Sequence, residues 1–166
     1  MSAALFAAAE LELHRGHAAE ATGTLDGWTA ALACYTQAAA LLALAPASPE
    51  TRRRAALAAM NRGNVLQKIA PVQNRAQTLA AYDEAIALLA PLPSDAHPDI
   101  RNRLGAAWLN RGHALRQTGD AADLAEALRS HRAAIALLRD LPLDATPAYR
   151  VNLAGAWLNL ADTLTL

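Results

Sequence analysis

The chain has 166 residues, 54% of them apolar, with 44 alanines, one Phe and a formal net charge of zero. That length supports a domain with a real core, the Ala- and Leu-rich composition is helix-forming, and the neutral balance lacks the basic surplus that marks a nucleic-acid footprint. No apolar run reaches the ~18 residues of a membrane span, and a lone Cys34, which cannot close an internal disulfide, fits a reducing, cytoplasmic compartment.

Seven helices are expected, at about 2–21, 26–44, 50–69, 74–90, 99–118, 122–140 and 148–165. The first begins in an apolar stretch, Met1 to Ala9, that has no basic leader and is interrupted by Glu10 and Glu12; it reads as a helix rather than a signal peptide. The third, fifth and seventh open at Pro49, Pro98 and Pro147, and proline is preset for an early helical position. Within the fifth, Leu104, Ala107 or Trp108, and Leu115 form a helical stripe, which Gly119-Asp120 ends. The sixth carries Leu128, Ile135 and Leu138 and closes at Leu141-Pro142. The fourth has the same layout, with Tyr82-Asp83-Glu84-Ala85-Ile86-Ala87-Leu88-Leu89 followed by Leu92-Pro93. Short links containing Pro, Gly and Asp favour antiparallel neighbours.

The elements repeat. Met60-Asn61-Arg62-Gly63-Asn64-Val65-Leu66 returns 49 residues later as Leu109-Asn110-Arg111-Gly112-His113-Ala114-Leu115, and again as Leu158-Asn159-Leu160-Ala161-Asp162-Thr163-Leu164. A fainter copy, Leu13-His14-Arg15-Gly16-His17-Ala18, stands 47 residues before the first of these. Pro49, Pro98 and Pro147, and likewise Arg52, Arg101 and Arg150, keep the same 49-residue step. Self-similarity at a fixed period signals stacked repeats.

Asn110-Arg111-Gly112-His113-Ala114 and Tyr82-Asp83-Glu84-Ala85-Ile86-Ala87 resemble the two helices of a tetratricopeptide repeat. A large residue four before a small one fits at Trp108 and Gly112 and at Trp157 and Ala161, and the late small residue of the partner helix fits at Ala38, Ala85 and Ala134. The resemblance implies one all-α domain, a right-handed α-solenoid of antiparallel pairs. Its repeats would run about 2–48, 49–97 and 98–146, with a final single helix at 147–166. The period of 49 exceeds the family's usual ~34, so this is a long-period variant. The first unit is atypical, with Glu12 where a large apolar residue is expected, as a solvent-facing cap requires.

The resemblance also implies a non-catalytic protein-interaction module, with first helices lining a concave groove for a peptide or a partner helix. The polar groove residues would be His17, Asn61, Asn64, Gln67, Lys68, Asn110, His113, Arg116, Gln117, Asn159 and Asp162, interleaved with Leu13, Met60, Leu109 and Leu158. Asn61, Asn64, Asn110 and Asn159 would form an amide ladder able to donate to and accept from a peptide backbone. The carboxylate clamp of some family members is absent, because its cationic places hold Leu13, Ala106 and Asn110.

No phosphate loop, nucleophile elbow or metal-spaced Cys pair occurs, so no catalytic residue, metal or cofactor is expected. Glu10, His14 and His17 share a helical face, but a metal there would need a further ligand from another element; a metal-dependent enzyme is the outside reading. His113 and Asp162 sit on adjacent first helices and could pair. Arg15, Arg62 and Arg111 read as braces pairing with carboxylates such as Asp83, Glu84 or Glu126. Arg52-Arg53-Arg54 reads as a solvated helix start, and Trp108 and Trp157 as core. Finally, Trp157, Leu158, Leu160, Leu164 and Leu166 leave the last helix few polar positions. This favours a structural role, either as a homodimer through that helix or as part of a longer protein. The 14 Arg against one Lys fit a GC-rich bacterial source.

Overall fold

The computed structural model describes residues 2–94, 97–117 and 119–166. Among them are seven helices and no strand: α1 (Ser2–Glu20), α2 (Leu25–Ala43), α3 (Pro49–Ile69), α4 (Arg75–Leu89), α5 (Pro98–Arg116), α6 (Ala121–Leu138) and α7 (Pro147–Leu164). All seven expected helices are present. Observed bounds differ from expected ones by no more than two residues, and the expected end of the fifth helix at Thr118 lies outside the described residues.

Local chemistry explains the boundaries. Thr24 caps α2 by accepting the Gly27 N–H at 3.1 Å, and Ser48 caps α3 by accepting the Thr51 N–H at 3.0 Å. Asp120 accepts the Ala122 N–H at 2.8 Å at the head of α6. The helices α3, α5 and α7 open on Pro49, Pro98 and Pro147, where the missing N–H costs nothing. The turns after α1 and before α6 use Gly23 at φ +69° and Gly119 at φ +70°, a region side chains disfavour.

The chain forms two compact units, Met1–Leu88 and Leu89–Leu166. In the first, α2 packs on both α1 and α3, and α1 also touches α3. Its core gathers Leu13, Ala31, Tyr35, Ala38, Ala58 and Val65, with Trp28 and Leu57 packed against them. In the second, α6 packs on α5 and α7, and α5 touches α7. Its core gathers Leu109, Ala134, Ile135, Leu138, Tyr149 and Ala156, with Trp108, Leu153 and Leu160 alongside. Each unit therefore contains an antiparallel pair with the next first helix laid beside it, the packing of a helical repeat.

The small residues of the repeated phrase set the spacing. A Cβ built on Gly16 would stand 2.5 Å from Cε1 of Tyr35, on Gly63 2.7 Å from Cε1 of Tyr82, and on Gly112 2.6 Å from Nδ1 of His131. Each glycine is the seat of a ring exactly one helix later: 19 residues separate every pair. The expected small residues Ala38, Ala85 and Ala134 are fully buried.

Candidate functional site

Within each unit, neighbouring first helices are joined along a polar edge. In the first unit, Asn61 Nδ2 lies 2.9 Å from His17 Nε2, linking α3 to α1. Lys68 Nζ donates to Glu20 Oε1 at 2.6 Å, and Tyr35 OH donates to Glu20 Oε2 at 2.7 Å. Burial alone would raise the Glu20 carboxyl, but hydrogen bonds from Lys68 and Tyr35 outweigh it and hold the group below its ordinary range. Burial, helped by the same bond, pushes the Tyr35 phenol up, and the His17 ring stands edge-on to it at 5.6 Å.

In the second unit, Arg116 Nη1 donates to Asp162 Oδ2 at 3.1 Å, Asn152 Nδ2 to Asn102 Oδ1 at 2.9 Å, and Tyr149 OH to Asp99 Oδ1 at 2.6 Å, all joining α7 to α5. The expected pairing of His113 with Asp162 does not form: Arg116, one turn on, reaches Asp162 first, and His113 lies 3.3 Å from Gln117 Nε2 on its own helix. Burial and the Arg116 charge push His113 down.

Several residues assigned to the groove have other work. Leu13 is 2% exposed and Leu109 8%; both belong to the cores, because they lie on the side of the first helix that meets its partner. Asn64 and Gln67 face inward at their side-chain ends, where Tyr82 OH donates to Asn64 Oδ1 at 2.9 Å and Gln67 Oε1 at 3.1 Å. His17, Lys68 and Gln117 remain exposed, while Met60, Asn61, Asn110, Arg116, Asn159 and Asp162 are half-buried. Glu12 is 7% exposed rather than a solvent-facing cap: it accepts from Arg15 Nη1 at 2.9 Å, and its bond to the thiol of Cys34 adds to burial in raising that thiol.

Arg62 and Arg111 brace helix to helix, as expected, whereas Arg15 is exposed and pairs with Glu12 on its own helix. Arg62 reaches Glu84 at 2.5 Å, and Arg111 reaches Ser130 Oγ at 2.9 Å and Glu126 at 3.5 Å while lying over the Trp108 ring. Arg53 and Arg54 pair with Glu50 at the start of α3.

The chain matches no protein-family model, and a search of curated proteins finds no match to it. The site must therefore speak through its own chemistry. Among the described residues no group of three or more His, Cys, Asp or Glu is placed to hold a metal. The Glu10, His14 and His17 face is otherwise engaged: His14 Nδ1 sits 2.7 Å from the Glu10 carbonyl, and Arg54 lies 3.2 Å from the Glu10 carboxylate. An open cleft of about 370 Å³ among α2, α3 and α4 is lined mainly by alanine and leucine, and its one carboxylate, Glu84, is held by Arg62. No helix among the described residues is long and apolar enough to cross a membrane.

Sequence reasoning passed over the ring seats. Tyr35, Tyr82 and His131 are all fully buried, and the constant 19-residue offset from glycine was the available signal. Tyr35 and Tyr82 satisfy their hydroxyls on Glu20 and Gln67, four residues after each glycine. The corresponding place in the second unit is Arg116, a donor. Neither nitrogen of His131 has a hydrogen-bond partner among the described residues, and burial, then the charges of Arg116 and His113, push its pKa down to about 4. Trp157, expected in the core, is 54% exposed. Nothing among the described residues covers its side of α7.

Proposed function

We propose that the protein is a non-catalytic, cytoplasmic interaction module of the tetratricopeptide kind, whose helical pairs stack with that family's right-handed twist within each unit. Its work is to hold a peptide or a helix of another protein against the polar edge of the first helices. The observation that carries this reading is the side-by-side placement of α1 with α3 and of α5 with α7, each joined through polar side chains that remain at the surface. Such an edge offers donors and acceptors to a backbone without further folding. Engagement by a peptide exchanges existing bonds, such as Asn61 to His17, for new ones, so moderate affinity is the expectation. The lone Cys34, with no second cysteine to pair with, suits a reducing compartment.

The test is selection of peptides from a displayed library on the wild-type chain, followed by titration of the winners against two surface variants, His17→Ala/Asn61→Ala and His113→Ala/Gln117→Ala. At least one variant should lose binding tenfold or more with unchanged circular dichroism. Winners that bind both variants as tightly as wild type would contradict the reading.

A further inference from the structure

The exposed face of α7 has an in-phase counterpart on α5. There, Gly105 and Gly112 lie against Leu138 and His131 of α6, with Trp108 half-buried between them. Forty-nine residues on, the same three places hold Ala154, Ala161 and Trp157, all exposed. The two substitutions change what the face can accept. On α5, Cβ atoms at these places would stand 2.6 Å from Leu138 Cγ and 2.6 Å from His131 Nδ1. A helix bringing a leucine and a ring to the same two points, as α6 does, would collide with Ala154 and Ala161. The face instead fits a helix that presents small residues seven positions apart.

The helix α7 is itself such a helix. Its exposed stripe reads Val151, Ala154, Trp157, Leu158, Ala161 and Leu164, with no charged member, and Val151, Trp157, Leu158 and Leu164 are 54–67% exposed. The stripe is symmetric about the point between Trp157 and Leu158. Reversal about that point puts Val151 opposite Leu164, Ala154 opposite Ala161 and Trp157 opposite Leu158, and pairs the flanking Arg150 with Thr165. A two-fold interface requires a patch complementary to itself, and small residues facing small ones let two helices approach closely. We propose that two copies of this chain associate through antiparallel α7 helices in this register.

The stripe spans about 20 Å of helix, 13 steps at ~1.5 Å, a small contact of the kind that associates reversibly. This goes beyond peptide capture and uses none of the residues tested for it. Sedimentation equilibrium of the full chain from ~1 to ~200 µM should show the mass rising from 17.5 kDa toward twice that value, and Ala161→Glu, at an exposed helical position, should stay at 17.5 kDa with unchanged helicity. In a Cys34→Ala background, Ala154→Cys mixed with Ala161→Cys should form a mixed disulfide more readily than either alone. A wild-type chain that stays monomeric throughout, a dimer indifferent to Ala161→Glu, or preferential Ala154→Cys self-linkage would each overturn the proposal.

Discussion

The helices α5 and α7 share Pro, Arg, Leu, Trp and Asn in phase and differ in what lies over them. On α5, two glycines let Leu138 and the His131 ring of α6 sit directly on the helix backbone, and Trp108 is half-buried beside them. On α7, two alanines and Trp157 face solvent, while the opposite side packs Tyr149, Ala156 and Leu160 into the core. The period fixes which residues a helix presents, and the presence or absence of one methyl group at two places fixes what can be seated there. A second contrast lies beneath the first. The rings seated in the first unit are tyrosines with partnered hydroxyls, whereas the ring seated in the second is an imidazole with none.

The contrast between ring seats gives the largest expected effect. The folded-state pKa of His131 is about 4, against roughly 6.5 unfolded. The unfolded chain therefore binds more protons between those values, so stability is full above pH 6.5, falls as pH drops toward 4, and levels off below. The loss is on the order of 3 kcal/mol. The depressed His113 acts in the same direction. Urea denaturation at pH 7 and pH 4.5 should show most of this loss in the wild type and a clearly smaller one in His131→Phe; equal pH dependence in both would contradict the contrast. Next in size, Gly112→Ala forces a methyl against a fully buried ring and should cost about 2 kcal/mol even though alanine is the better helix former. The smallest effect has the opposite sign. A Cβ on Gly155 of α7 would lie 3.5 Å from Leu109 Cδ2, an ordinary contact, so Gly155→Ala should raise stability by about 0.5–1 kcal/mol. Loss of stability there would show that α7 needs glycine as α5 does.

Much of this was legible in sequence. Prolines at 49, 98 and 147 and the glycine turn at Gly119 place the helices, because such signals act within a few residues. The arginine braces were legible too, since a long cation beside a carboxylate on the next helix has few other partners. The groove was less so. Asn64 and Gln67 look like surface amides until the Tyr82 hydroxyl arrives beneath them from 15 or more residues away. Likewise Arg116 takes Asp162 from His113 because only the folded geometry decides which of two side chains on one helix reaches the next. Trp157 differs from expectation for a related reason: its phase matches that of Trp108, and phase does not say what lies over a position.

Each glycine of the repeated phrase is a seat for the ring 19 residues later. A double-mutant cycle on Gly112→Ala and His131→Ala tests it most directly. Gly112→Ala should be costly in the wild-type background and nearly harmless, or stabilising, once the ring is gone, giving a coupling of at least about 1 kcal/mol. Additive effects of the two substitutions would show that the glycine and the ring do not act on each other, and the account would be wrong.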